Sequence, residues 1–226
     1  MRHLKQLGLY GLLPVVCIGI TIITTLLWAR SALQDHIATT YEVKDPKGIE
    51  ILEAVKIGGV DQWLHIRGRN RDNPILLYLH GGPGSPVIGI MDATQRPWED
   101  YFTVVQWDQR QGGKSYYSPA AKGETIILDR MLQDTEEVIQ YLRHRFNQDK
   151  IVLLGHSWGT YLGMKMVKRH PEWVQAYIGV GQVVSKLAAD RELYKRVLGY
   201  AKKDNDERVL TRLEDIKPYL NMTPDE

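Results

Sequence analysis

Residues 155–159 read Gly-His-Ser-Trp-Gly, so Ser157 stands between two closely spaced glycines. The apolar run Ile151–Leu154 precedes this motif, and a helical pattern follows from Tyr161. A serine on a sharp turn from a strand into a helix has its hydroxyl pushed out of the sheet edge, where it can attack a carbonyl carbon. So short a pattern also occurs by chance, but the strand before it and the helix after it favour chemistry. The sequence therefore predicts Ser157 as a nucleophile.

A second glycine-rich segment, residues 80–84, reads His-Gly-Gly-Pro-Gly and follows the apolar run Ile75–Leu79. Glycine at such a strand end lets a bare backbone N–H point at the carbonyl oxygen of a substrate. We expect the N–H groups of Gly82 and Trp158 to form an oxyanion hole. A plain glycine-rich turn is the alternative, but it does not explain two such loops at neighbouring strand ends.

A third motif, Trp-Asp-Gln-Arg at residues 107–110, closes the apolar run Phe102–Trp107. We interpret it as structural. Asp108 and Arg110 are expected to hold their loop in place through ion pairs and hydrogen bonds rather than to act on a substrate.

The three motifs, in this order, resemble those of the proline iminopeptidase group of α/β-hydrolases. The similarity runs from about Tyr41 to about Tyr219. It implies an α/β fold with a mostly parallel sheet, flanking helices and a helical cap, and an enzyme that releases N-terminal residues, often proline, from peptides. It also implies Ser157 as the nucleophile. One departure is Gln111, where family members usually carry glycine directly after the arginine.

A general base and its orienting carboxylate are expected to lie outside this chain. In this fold both follow the nucleophile, and the only histidine after Ser157 is His170, 13 residues along a helix and thus about 20 Å away. His156 should point away from Ser157. His80, with Asp108 as its orienting carboxylate, is a candidate for a substitute base, and the alternative is that His80 hydrogen-bonds its own loop. Two hypotheses stay open: a hydrolase completed by further residues, or a non-catalytic scaffold.

The pattern of apolar residues predicts how the chain is organised. Gly58-Gly59 marks a hairpin between two strand-like runs, and a helix is expected over Thr125–Phe146. Leu187–Ile216 is strongly helical with a polar break, which suggests two helices over the sheet. The predicted divisions are a membrane anchor (1–30), a stalk (31–47), the N-terminal part of an α/β-hydrolase core (48–182) and the beginning of the cap (183–226).

Gly8–Ala29 is a run of 22 residues without a charge, which as a helix of about 33 Å is long enough to cross a bilayer. Arg2 and Lys5 precede it and only Arg30 follows closely, which favours a cytoplasmic N-terminus and a hydrolase part outside the cytoplasm. A cleaved signal peptide is the alternative, although residues 29–31 form a poor cleavage site. The single cysteine, Cys17, lies in this run and cannot form a disulfide within the chain.

The composition outside the anchor excludes several function classes. Without the three basic residues at positions 2, 5 and 30, the chain holds 26 of its 29 lysines and arginines against 27 acidic residues. This balance offers no case for nucleic-acid binding. No His/Cys cluster has metal-ligand spacing, and we expect no metal and no cofactor. A peptide or a small ester or amide is the expected substrate.

The anchor gives the first testable prediction. Expressed in cells, the protein should stay with the membrane fraction after high-salt and carbonate washes, because a spanning helix is held by the hydrocarbon core and not by charge. Immunoblotting of the fractions measures this. A soluble product with a new N-terminus near Ser31 would instead identify a cleaved signal peptide.

Overall fold

The computed structural model describes residues 2–220. Its first element is a helix of 40 residues, α1 (Arg2–Tyr41). No side chain of residues 14–40 is buried. The part from Pro14 is long and apolar enough to cross a membrane by length and composition. The helix also continues through most of the segment expected as a stalk, so that segment is helical up to Tyr41.

Six strands form one sheet in the order β1-β2-β4-β3-β5-β6. β1 pairs antiparallel with β2, and β2 pairs antiparallel with β4, whereas β4, β3, β5 and β6 run parallel. The predicted hairpin and the mostly parallel sheet are therefore confirmed. The strands are β1 (Ile49–Ile57), β2 (Val60–Gly68), β3 (Ile75–Leu79), β4 (Thr103–Asp108), β5 (Ile151–His156) and β6 (Val174–Val180).

Five further helices are present in residues 42–220: α2 (Asp92–Gln95), α3 (Leu128–Phe146), α4 (Trp158–Arg169), α5 (Lys186–Asp204) and α6 (Glu207–Leu220). The expected start of α3 at Thr125 is wrong. Ile127 has an extended backbone (φ −115°, ψ 152°) and is 57% exposed, so the helix begins after it. Apolar residues at helical spacing in α3 are buried, namely Met131, Val138, Ile139 and Leu142.

The strands alternate their side chains between two apolar layers, as strand geometry requires. Ile75, Leu77 and Leu79 of β3 belong to the larger core, which α3 and α4 cover. Leu76 and Tyr78 belong to a smaller cluster on the other face, against residues around 87–102. The sheet thus carries helices on one face and a long connection on the other.

The helices after the sheet match the predicted break. Asn205 ends α5 in the left-handed conformation (φ 52°), and its N–H caps the helix. The two helices contact each other, and few of their described side chains are buried. Residues 221–226 of the expected cap segment lie outside the described residues.

β6 forms one edge of the sheet, with β5 as its neighbour. Its apolar residues Ile178 and Val180 are 42% and 47% exposed, whereas every residue of β3 is buried. An apolar strand with an uncovered edge is unusual in a soluble domain.

A buried ionic network joins the hairpin, α3 and the loop after β4. The Arg110 guanidinium donates from Nε to Asp134 Oδ2 at 2.7 Å, and a second nitrogen donates to Oδ1 at 2.9 Å. Gln62 Nε2 donates to the same Asp134 carboxylate at 2.8 Å, and its Oε1 accepts from the Trp107 indole at 2.9 Å. This carboxylate raises the pKa of Arg110 by hydrogen bonding and charge. The structural role expected for Arg110 is confirmed.

Asp134→Asn should therefore destabilise the fold. Removing one partner of a buried pair typically costs about 3–5 kcal/mol, and we expect about 3 kcal/mol because Glu124 still contacts Arg110. Glu136→Gln on the same helix removes only partly exposed pairs, with Arg169 and His170, and should cost less than about 1 kcal/mol. Urea unfolding of the detergent-solubilised protein measures both. Equal midpoints for the two variants would contradict the role given to Asp134.

Candidate active site

Ser157 lies at the turn between β5 and α4, as the motif predicts. Its backbone has a positive φ (φ 50°, ψ −114°), a conformation that a non-glycine residue adopts only under strain. Its N–H donates to the Val180 carbonyl at 2.9 Å, which ties the turn to the end of β6. The side chain is half-buried, and in the described part of the chain its hydroxyl makes no hydrogen bond. The hydroxyl is thus left available at the carboxyl end of β5.

The glycines on either side of Ser157 permit a close backbone approach. A Cβ atom added at Gly159 would lie 1.9 Å from the Leu79 carbonyl oxygen, and one added at Gly155 would lie 2.6 Å from the Gly159 carbonyl oxygen. No side chain fits at these distances. The first turn of α4 therefore packs directly on the ends of β5 and β3.

The loop after β3 lies against the nucleophile. A Cβ atom added at Gly81 would be 3.5 Å from Ser157 Cβ. Gly82 has a φ of 113°, which suits glycine, and it is exposed. Trp158 begins α4, where N–H groups lack partners within the helix. Among the described residues, neither the Gly82 N–H nor the Trp158 N–H donates a hydrogen bond to another group.

Gln109 links the two loops, a role that the sequence reasoning missed. Its side-chain Oε1 accepts from the Trp158 indole Nε1 at 3.2 Å, and its Nε2 approaches the His80 carbonyl oxygen at 3.5 Å. Its own N–H donates to His80 Nε2 at 3.3 Å. Gln109 thus connects the serine turn to the glycine-rich loop. The only signal in the sequence was its place directly after a strand of the same sheet.

His80 is fully buried and both of its ring nitrogens are occupied. Nδ1 lies 2.7 Å from the Gly81 carbonyl oxygen, and Nε2 accepts from the N–H of Gln109. Burial lowers the pKa of His80, so the ring is neutral at neutral pH. With Nδ1 donating and Nε2 accepting, the ring has no free position for a proton from Ser157. The structural interpretation of His80, in which it bonds its own loop, matches this geometry.

Asp108 organises the loop that follows β4. Its Oδ2 accepts from the Lys114 N–H at 2.7 Å, and its carbonyl oxygen accepts from the Ser115 hydroxyl at 2.6 Å. Burial raises the pKa of Asp108, partly offset by the Lys114 N–H and its charge. These bonds confirm that Asp108 holds its loop, and among the described residues they do not connect it to His80.

Gln111, the departure from the family pattern, adopts the left-handed conformation that glycine favours (φ 57°). Its side-chain amide donates to the carbonyl oxygens of Ala121 and Glu124 at 3.0 and 2.6 Å. The backbone of the loop therefore has the conformation that glycine would adopt at this position. The hydrogen bonds of the Gln111 side chain compensate for the strain.

The other two histidines near the nucleophile in sequence are not arranged as bases. His156 is exposed on the strand side of the turn. His170 ends α4, stacks on Trp173 at 3.7 Å, and pairs with Glu136 and Glu172 at 3.4 and 3.5 Å. In the described part of the chain, no group of three potential ligands suits a metal ion.

Comparison with known proteins agrees with this geometry. Residues 74–207 match the family described as alpha/beta hydrolase fold, which is more than half of the chain. The chain belongs to this family. The resemblance to proline iminopeptidases is likewise confirmed by named relatives. The chain is 36% identical over 179 residues to the probable aminopeptidase YbaC of Bacillus subtilis, a match that covers 78% of this chain and 56% of the relative.

A proline iminopeptidase of Lactobacillus helveticus is 28% identical over 151 residues, covering 66% of this chain and 50% of that enzyme. This α/β-hydrolase chain therefore spans about half the length of the curated relatives it matches. Among solved structures, a proline iminopeptidase-related protein from Thermus thermophilus superposes with a TM-score of 0.54 at 21% identity, over 72% of this chain and 59% of that one. That likeness supports the fold alone.

The close approach at Gly159 gives a prediction on stability. Gly159→Ala should destabilise the protein by about 3 kcal/mol or more, because the methyl group has to displace backbone. Gly199→Ala is the matched control, since it is also in a helix but has no atom within 4 Å, and it should stabilise by about 0.5–1 kcal/mol. Thermal unfolding of both variants measures this. A Gly159→Ala protein as stable as the parent would mean that α4 does not pack on β3 in this way.

Proposed function

We propose that the protein is a membrane-anchored serine hydrolase of the proline iminopeptidase type, with Ser157 as its nucleophile. The observation that carries the proposal is the strained turn at Ser157, which leaves the hydroxyl unbonded at the sheet edge beside two backbone N–H groups that are also unbonded in the described residues. Strain of this kind persists where the surrounding structure enforces it, and it is concentrated at functional sites. The related aminopeptidases support the class of substrate.

In the proposed reaction, Ser157 Oγ attacks the carbonyl carbon of the residue at the N-terminus of a peptide. The carbonyl π electrons move to the oxygen, where the N–H groups of Gly82 and Trp158 would stabilise the negative charge. A base takes the serine proton and returns it to the departing amine, leaving an acyl-enzyme ester. Water activated by the same base then releases the free amino acid and restores the serine.

The base and its orienting carboxylate are proposed to come from outside these 226 residues. The strongest support is negative: within the described part of the chain, no histidine forms a hydrogen bond with Ser157. His80, the substitute base considered from sequence, has both ring nitrogens engaged. Such residues would approach Ser157 at the end of β6. Val180 is exposed there, and its carbonyl accepts a hydrogen bond from the Ser157 N–H.

The anchoring part of the proposal rests on α1. Its apolar stretch has no buried side chain from Pro14 onwards, and such a surface would be stable only in a lipid environment or against a partner. The basic residues Arg2 and Lys5 before it support an orientation with the hydrolase body outside the cytoplasm.

A non-catalytic scaffold remains the second candidate. The observation that favours it is the same lack of a base near Ser157 among the described residues, combined with the exposed β6 edge, which offers a surface for binding another chain.

A direct assay separates the two candidates. The 226-residue chain should release almost no product from an N-terminal proline reporter, because its serine must attack as a neutral hydroxyl. Loss of triad members leaves a residual acceleration of about 10³–10⁴ over water at most. Fusing the C-terminal remainder of the Bacillus subtilis relative after Glu226 should restore turnover.

Ser157→Ala in the fused protein is the matched control and should abolish the restored activity. Turnover by the short chain that disappears in Ser157→Ala would contradict the proposed source of the base. A stably folded fusion protein that stays inactive on peptide, ester and amide reporters would favour the scaffold.

A further inference from the structure

The end of α1 is attached to the body by side chains of the body. The last turn of α1 contains no basic residue of its own. Its terminal carbonyl groups instead accept hydrogen bonds from two arginines: Arg96 donates to Thr40 at 3.3 Å, and Arg67 donates to Tyr41. The Arg96 guanidinium also lies 4.2 Å from the centre of the Tyr41 ring. Cations at this position satisfy unpaired carbonyls and complement the helix dipole.

Arg67 is itself held firmly by the body. Arg67 is buried and pairs through Nε with the buried carboxylate of Glu99 at 2.9 Å, and it also pairs with Glu50. Glu50 in turn accepts from the Val43 N–H at 3.2 Å, just beyond the helix. The helix is therefore fixed to the body at its last turn. We call Arg67, Arg96, Glu99 and Glu50 the helix clamp.

The helix clamp lies at one end of the parallel strands and the candidate active site at the other. Arg67 pairs with Val104 near the start of β4, and Arg96 and Glu99 precede that strand. Ser157 and Gly82 follow the ends of β5 and β3, which run parallel to β4. β4 has six residues, which separates the two ends by about 20 Å.

α1 leaves the body instead of lying along it. None of the side chains of residues 14–40 is buried. The part after the apolar stretch, Arg30–Tyr41, is 12 residues long, or about 18 Å of helix. With α1 in a bilayer, this spacer joins the membrane to the clamp end of the sheet, which is the end of the parallel strands opposite the candidate active site.

We infer that the candidate active site opens away from the anchoring membrane and takes its substrate from the aqueous phase. Water-soluble peptides reach such a site freely, whereas lipids of the same bilayer do not. The inference rests on the proposed anchor, and it specifies the substrate class as soluble, which the motifs leave open.

A bilayer-borne reagent tests this orientation without needing catalysis. The full chain carrying Cys17→Ser is reconstituted into vesicles that contain a lipid with a headgroup-linked maleimide. Single cysteines replace Ser31 at the base of the spacer, Tyr117 on the site side of the β4 end, and Val184 beyond β6. Tyr117 and Val184 are 82% and 91% exposed. A soluble charged maleimide corrects each rate for the intrinsic reactivity of its thiol.

Ser31→Cys should couple to the lipid readily, and Tyr117→Cys and Val184→Cys about tenfold or more slowly, because the spacer and sheet hold them up to about 40 Å from the headgroups. Comparable lipid coupling at Tyr117 or Val184, in protein that floats with the vesicles, would overturn the inference and leave the anchor intact. Failure to float with the vesicles would overturn the anchor itself, and the inference with it.

A variant in which residues 38–43 are replaced by a longer, flexible Gly/Ser segment tests whether the helix clamp sets this orientation. The replacement removes the helical carbonyls that Arg96 and Arg67 bind, together with the Tyr41 ring, and leaves a flexible chain between the helix and the body. Lipid coupling at Tyr117→Cys should then rise towards that of Ser31→Cys. An unchanged slow rate would show that the clamp does not orient the body, and the inference would lose its basis.

Discussion

The candidate site depends on the backbone contact between the first turn of α4 and the end of β3. At Gly159 the helix lies so close to the Leu79 carbonyl that no side chain fits, and this approach accompanies the positive φ of Ser157. The strained backbone is held by hydrogen bonds on both sides, from the Ser157 N–H to Val180 and from the Thr160 hydroxyl to the Ser157 carbonyl at 2.6 Å. The position of the unbonded hydroxyl thus depends on how tightly the helix packs on the sheet.

A second layer of contacts holds the neighbouring loops around that turn. Asp134 in α3 fixes Arg110, and the residue directly before it, Gln109, contacts both the Trp158 indole and His80. The buried ionic network and the candidate site therefore share one short loop. Because a buried charge without its partner is costly, this loop has little freedom to move. Its rigidity is the kind of support that preorganised N–H donors require.

The sequence predicted the strands, the order of the motifs and the serine turn, since these depend on local patterns of apolar residues and glycines. It did not predict the bridge from Gln109 to Trp158, because a contact between residues 49 positions apart depends on which strands become neighbours. It also described residues 31–47 as a stalk. The part of that segment up to Tyr41 contains no glycine or proline, and its helical state follows from this continuity and from the arginines that cap its end.

The two ends of the parallel strands have different chemistry, and this separation has a physical benefit. At the clamp end, charged side chains hold the carbonyl end of a long helix, so a force applied through α1 acts on ion pairs and on the start of β4. At the other end, the unbonded donors are backbone amides whose positions depend on packing between α4, β3 and β5. A displacement of α1 therefore has to pass through the buried strand β4 before it reaches Ser157. The arrangement of groups around Ser157 tolerates little displacement, and it is protected because α1 is attached at the opposite end of the sheet.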